Sequence, residues 1–413
     1  NSPIVAVGGY LATAANDGMV HIFKKNGGSD ERSYNLKLSY IPGTMPRKDI
    51  QSQESTLAKE LRAFAEKGYV GDRYGVDGGF VLRRITDDQD KQKHFFMFGA
   101  MGFGGRGAYA LDLSKINGNY PAAAPLFDVK DGDNNGKNRV KVELGYTVGT
   151  PQIGKIRNGK YAAFLASGYA AKDIASQENK TALYVYDLKD TLGTPIAKIE
   201  VKDGKGGLSS PTLVDKDLDG IVDIAYAGDR GGNMYRFDLS SDKPSEWTVR
   251  TIFQGTKPIT SAPAVSRLAD KRVVIFGTGS DLSEQDVLDT KEQYVYGIFD
   301  DDKPTVNVKV TNGTGGGLLE QVLSEENKTL FLNKGSDGSG SKGWVVKLKE
   351  GGRVTVKPTV VLRTAFVTIR KYTDTDKCGA QTAILGINTA DGGALTPRSA
   401  RPIVPEANKD VAQ

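Results

Sequence analysis

A strand–turn–strand repeat running the length of the chain limits its folding more than any other feature. Segments of alternating apolar character span Gly9–Phe23, Phe95–Leu113, Tyr161–Leu188, Ile221–Leu239, Val273–Phe299, Leu330–Leu348 and Val360–Ile387. Each is interrupted by a glycine-rich or acidic turn, which reads as two short strands. Three of them close alike: GGRGAYALDL at Gly104–Leu113, TALYVYDL at Thr181–Leu188 and AGDRGGNMYRFDL at Ala227–Leu239. A second piece precedes several repeats, as TPQIG from Thr150, SPTLVD from Ser210, SAPAVSRL from Ser261 and, more loosely, KPTVV from Lys357. The closing aspartates Asp112, Asp187 and Asp238 lie 75 and 51 residues apart. Later repeats fall about 40–60 residues apart, so loops vary, and periods near 40–50 residues with four strands per unit mark a β-propeller.

Seven such repeats predict an all-β chain, a modified seven-bladed β-propeller. A small sheet cannot bury both faces alone, whereas radially packed sheets can. Stacked β-sandwiches are the alternative. Composition agrees with either: 50 of 413 residues are glycine, about 12% against a usual ~7%, without the G-X-Y period of collagen. Each interior glycine costs a helix about 1 kcal/mol, which argues against a helical bundle.

The propeller is expected over residues 1–395, with an insertion at about 29–74 and an extended tail, 396–413, containing Pro397, Pro402 and Pro405. Within the insertion Leu57, Leu61 and Phe64 recur at helical spacing between a Ser52 cap and a Gly68 stop. This predicts one helix near 53–67. A second insertion, Ile116–Lys141, is polar and reads as a loop. The chain begins at Asn1 without Met or a signal-peptide pattern and is read as a piece of something longer. No apolar run approaches the length of a transmembrane helix. The net charge of +5 arises from interspersed signs and points to no nucleic-acid partner. Cys378, the single cysteine, excludes an internal disulfide framework.

The strongest chemical signal is VDKDLDGIVDIAYAGD. Asp215, Asp217, Asp219 and Asp223 take positions 1, 3, 5 and 9 of a calcium loop, and Gly220 takes position 6. Ca²⁺ wants six to eight oxygens, and alternate residues of a tightly curved loop point inward. Ile221, at position 7, would contribute its backbone carbonyl. Four carboxylates this close repel unless a cation lies among them. Tyr226 stands where an EF-hand has its bidentate Glu, and strands rather than helices flank the loop. Affinity roughly in the micromolar to millimolar range follows. Mg²⁺ suits the set less well, and a solvated acidic turn is the bland alternative. DVKDGDNNGKNRV aligns Asp131, Asp133 and Asn135 similarly, but Arg139 at position 9 makes it a polar turn; Thr86–Asp90 reads as a charged turn.

No catalytic constellation is evident. His21 and His94 are isolated in strand-like runs, no G-x-S-x-G elbow exists, and Cys378 has no histidine neighbour in sequence. The chain is read as non-enzymatic.

The pattern A-x-D-x-x-G-x-x-Y-x-x-D at Ala227–Asp238 resembles the blade motif of quinoprotein dehydrogenases. ATAANDGMVHIF (Ala12–Phe23), RYGVDGG (Arg73–Gly79), GGRGAYALDL, LGYTVGTP (Leu144–Pro151), LASGYAAKD (Leu165–Asp173) and DKDLDGIVDIAYAGD (Asp215–Asp229) follow in order. Together they resemble the C-terminal domain of the PilC/PilY family of type IV pilus proteins, from the first residues to about Gly393. The resemblance implies a quinoprotein-like propeller ending a larger secreted protein at the outer membrane or pilus tip. It implies partners among pilus subunits, the pilus tip or secretin machinery, and host-cell surfaces. It also implies support of pilus biogenesis by opposing retraction, and roles in adhesion and twitching motility. The family's calcium site maps onto Asp215, Asp217, Asp219, Ile221 and Asp223. The Arg-Gly-Asp motif of some members is absent, the nearest string being Asp229-Arg230-Gly231-Gly232. A quinoprotein-type oxidoreductase and an integrin-like matrix-binding propeller are the competing readings.

Overall fold

The computed structural model describes residues 4–7, 9–15, 18–25, 34–42, 78–116, 123–134, 140–190, 192–326, 329–334, 340–373 and 376–395. The expected helix near 53–67, most of the insertion around it, the tail 396–413 and the side chain of Cys378 lie outside the described residues. Among the described residues the regular secondary structure is almost wholly β, in six sheets. The longest α-helix among them, α1 (Glu284–Leu288), is little more than one turn, and none is long and apolar enough to cross a membrane. Two compact units divide the chain, residues 1–230 with 236–250 and residues 231–235 with 251–413.

In the first unit, three sheets are antiparallel meanders of consecutive strands. They are β1 (Ile4–Val7), β2 (Tyr10–Ala14), β3 (Val20–Lys25) and β4 (Tyr34–Tyr40); then β5 (Phe80–Thr86), β6 (Gln92–Ala100), β7 (Gly107–Asp112) and β8 (Pro125–Lys130); then β9 (Gln152–Lys155), β10 (Tyr161–Ala166), β11 (Ala182–Asp187) and β12 (Pro195–Glu200). Strand β4 stands inside the stretch read as an insertion and completes the first sheet. β13 (Thr212–Val214) and β14 (Ile224–Gly228) pair antiparallel in the same unit, and β15 (Asn233–Asp238) and β16 (Thr248–Gln254) follow.

The apolar run Phe95–Phe98 shows why a sheet here needs neighbours on both sides. Side chains alternate across a strand. Phe95 and Met97 enter one core with Tyr10, Ala12 and Ile22 of the first sheet. Phe96 and Phe98 enter another with Ile153, Leu165 and Tyr186 of the third. Each such burial is worth about 1.5–3 kcal/mol.

The second unit holds β17 (Ala264–Arg267), β18 (Arg272–Gly277), β19 (Tyr294–Asp300), β20 (Val308–Lys309), β21 (Leu318–Glu326), β22 (Thr329–Lys334), β23 (Gly343–Lys347), β24 (Thr359–Val361), β25 (Thr364–Thr373) and β26 (Asp376–Asn388). Its large sheet runs β17-β18-β19-β23-β21-β22, and the last three strands make a separate meander. The stretch Leu330–Leu348 is therefore not one hairpin. β23 pairs with β19 and, in parallel, with β21, while β22 pairs with β21.

The two recurring pieces have local causes. The Pro-containing piece opens the first strand of its sheet at Gln152, Thr212, Ala264 and Thr359. Each closing aspartate accepts the N–H two residues ahead: Asp112 from Ser114 (3.1 Å), Asp187 from Lys189 (2.9 Å), Asp238 from Ser240 (3.0 Å) and Asp300 from Asp302 (2.9 Å). These are Asx turns that stop the strand where the chain must leave the sheet.

Candidate metal centre

The acidic loop is the connection between β13 and β14. Their register pairs Val214 with Ile224, and the N–H of Asp223 donates to the Val214 carbonyl at 2.9 Å to close the loop. Inside it the aspartates take up the loop's own backbone donors. Asp215 accepts from Asp219 at 3.2 Å and Gly220 at 2.7 Å, Asp219 from Ile221 at 3.0 Å and Asp223 from Lys216 at 2.8 Å. Gly220 has φ +83° with open space around it, so glycine is needed for its backbone conformation rather than for room.

The folding brings one carboxylate oxygen each from Asp215, Asp217, Asp219 and Asp223 within 4.8 Å of one another. Ile221 lies in the same loop with its N–H directed to Asp219. The electrostatics are uneven. Burial, and then the neighbouring Asp217, push the Asp223 carboxyl above the usual range against the pull of the Lys216 N–H and Arg157. Asp219 is held below it by the Ile221 N–H and by Arg157. Four carboxylates so placed could hold a metal ion, and hard oxygen donors suit a hard cation.

Arg157 is the participant that sequence reading missed. It sits in the turn between β9 and β10, a turn closed by the Ile156 N–H to Lys160 and the Gly159 N–H to Ile156, both at 2.9 Å. Its guanidinium donates to Asp219 Oδ2 at 2.9 Å and to Asp223 Oδ1. The hairpins also meet through backbone, because the Val222 N–H donates to the Lys155 carbonyl at 2.8 Å. A Cβ on Gly154 would lie 2.5 Å from a Val222 methyl, so glycine there permits the approach. Arg157 and Asp223 are 66 residues apart in sequence, and no local spacing signals the pair.

The other candidates are occupied structurally. Asp131 accepts from Leu144 at 2.9 Å and Asp133 from Lys130 at 3.1 Å, as in a polar turn; Asn135 and Arg139 lie outside the described residues. Asp87 accepts from Gln89 and Lys91 within its own turn. His21 meets Ser39, and His94 meets Asp112, each at 2.9 Å. Both indoles are engaged, Trp247 with the Ser241 carbonyl and Trp344 with that of Thr389. In the Asp229–Gly232 string Asp229 is fully buried. Arg230 stacks 4.6 Å from the Tyr169 ring centroid.

The sheets and the loop lead to a comparison with known proteins. The family description of the PilY1 beta-propeller domain matches residues 2–335. The chain belongs to that family. Among curated PilY1-family proteins it is 30% identical over 355 residues to the type IV pilus biogenesis factor PilY1 of Pseudomonas aeruginosa strain PAO1, covering 77% of this chain and 27% of that protein. It is 28% identical over 410 residues to the PilY1 of strain UCBPP-PA14, covering 84% of this chain and 32% of that one. A PilY1 homolog from Xylella fastidiosa is 27% identical over 415 residues, 95% of this chain and 29% of that protein. The chain thus spans between a quarter and a third of the length of these PilY1 relatives. The crystal structure of the Pseudomonas aeruginosa PilY1 C-terminal domain matches 92% of this chain and 79% of its own with a TM-score of 0.65 at 24% identity, a likeness of fold.

Proposed function

We propose that this domain is a calcium-binding, non-enzymatic module of a type IV pilus biogenesis protein. The observation that carries the calcium reading is the convergence of four carboxylates on one hairpin end, their oxygens within 4.8 Å. Asp215, Asp217, Asp219 and Asp223 would supply side-chain oxygens and Ile221 its carbonyl. The ion would neutralise the mutual repulsion of the carboxylates and fix β13 to β14. Without a bidentate Glu at position 12, affinity falls roughly in the micromolar to millimolar range, suited to an exterior compartment.

The pilus reading rests on family membership and on the relatives' naming as pilus biogenesis factors. The domain would act at the cell surface or pilus tip, binding pilus components, supporting biogenesis by opposing retraction, and contributing to adhesion to host cells and twitching motility. Its architecture would be the seven-bladed, quinoprotein-like ring predicted from the repeats over residues 1–395. The six sheets among the described residues supply candidate blades.

Calorimetric titration with Ca²⁺ tests the site. Asp217→Ala is expected to abolish the binding heat of the wild-type protein while leaving the circular dichroism of the sheets intact. Unchanged binding in that variant removes the assignment. In cells, substitutions at Asp215 or Asp217 are expected to alter pilus number and adhesion; wild-type behaviour in both assays leaves the ion a structural role only.

A further inference from the structure

We infer that Arg157 is an internal counter-ion of the acidic loop, and that a divalent cation binds there by displacing its guanidinium from Asp219 and Asp223. The inference rests on the calcium reading and deepens it, because it makes the β9–β10 turn part of the binding event. Arg157 does not form a bidentate pair with one carboxylate. It bridges two, with one nitrogen on Asp219 Oδ2 at 2.9 Å and the other on Asp223 Oδ1. Those two residues are positions 5 and 9 of the loop. The loop's own N–H donors reach Asp215, Asp219 Oδ1 and Asp223 Oδ2, and the carboxylates also meet one another, Asp217 with Asp223 and Asp215 with Asp219. A carboxylate oxygen can keep an N–H and still face a metal through its other lone pair. It cannot keep a guanidinium in contact on the metal-facing side, because two cations at that separation repel.

Arg157 holds Asp219 Oδ2 and Asp223 Oδ1, the oxygens of those two carboxylates that take no loop N–H, and a shell of six to eight oxygens would draw on them. The guanidinium offsets one of four negative charges, whereas a divalent ion offsets two from the centre. Exchange therefore favours the ion once its concentration is sufficient, and Arg157 sets that concentration. The backbone link from Val222 to Lys155 is independent of the guanidinium. The hairpins thus stay joined while the Arg157 side chain is released toward solvent, to which it is already 29% exposed.

The test is Ca²⁺ calorimetry and thermal melting of the wild type, Arg157→Gln and Lys155→Gln. Lys155 carries the same charge on the same hairpin, but its ammonium lies 6.0 Å from the Tyr161 ring centroid. Arg157→Gln is expected to bind Ca²⁺ about five- to tenfold more tightly, as release of a partly exposed pair of ion contacts allows. Lys155→Gln should change affinity less than about twofold, since its half-buried ammonium sits over the Tyr161 ring and not on a carboxylate of the loop. Without Ca²⁺ the Arg157→Gln protein should melt below the wild type, and saturating Ca²⁺ should erase the difference. Equal or weaker binding in Arg157→Gln, or equal tightening in both variants, overturns the inference and leaves the calcium reading standing. Absence of any Ca²⁺ heat or melting shift in all three proteins overturns both.

Discussion

Asp112 shows how one repeat residue serves several elements at once. Its carboxylate is buried at the end of β7 and accepts from the Ser114 hydroxyl at 2.6 Å, His94 Nδ1 at 2.9 Å and the Phe95 N–H at 3.2 Å. Burial alone pushes the carboxyl up, but the hydrogen bonds from Ser114, His94 and Phe95 together outweigh it and hold it below the usual range. A carboxylate lowered on folding contributes stability that is present above its unfolded pKa, about 4, and lost as the pH falls through the lower folded value. Urea denaturation should therefore show the wild type losing stability relative to Asp112→Asn as the pH falls below about 4. At pH 7 the Asn variant should be less stable by about 1–3 kcal/mol, because a charge-assisted acceptor is lost. Identical pH profiles would mean that this carboxylate contributes nothing through its ionisation. The aspartate itself was legible as a repeat residue; its partner His94 was read only as isolated in a strand-like run, since the pairing depends on β6 lying beside β7.

Single strands pack closely because glycine faces an aromatic ring across the ladder. Gly99 is in register with Tyr109 and Gly297 with Trp344. A Cβ at Gly99 would lie 2.2 Å from the Tyr109 ring, and one at Gly297 2.1 Å from the Trp344 indole. Both rings are fully buried and have nowhere to retreat. Gly99→Ala and Gly297→Ala are each expected to cost about 1–3 kcal/mol or more in chemical denaturation. A loss under about 0.5 kcal/mol would mean that the rings can shift. The glycine excess was visible from composition, and its association with turns was correct. That some of it lies inside strands, opposite the largest rings, needed the register. Strand order in the second unit was hidden for a similar reason. Alternation marks a strand but not its partner, so the parallel pairing of β21 with β23 leaves no local trace.

Over the whole chain, the calcium reading has a thermodynamic consequence. An ion that binds only the folded form stabilises it by about 2.7 kcal/mol at a hundredfold excess over Kd. Calorimetric melting is expected to show a Ca²⁺-dependent rise in the transition of the first unit, reversed by a chelator and weaker with equimolar Mg²⁺. A scan indifferent to Ca²⁺ at millimolar concentration would count against ion binding. The sequence by itself determined the β class, the repeating closing aspartates and the acidic loop. Each is written in residues close together in the chain, where alternation, turn chemistry and ligand spacing act. Only the tertiary structure decided which strands neighbour one another, which ring each glycine faces, and that Arg157 stands on the carboxylates of a hairpin 62 residues further along. Those outcomes depend on the packing of sheet against sheet, which distant parts of the chain settle jointly and no short stretch encodes alone.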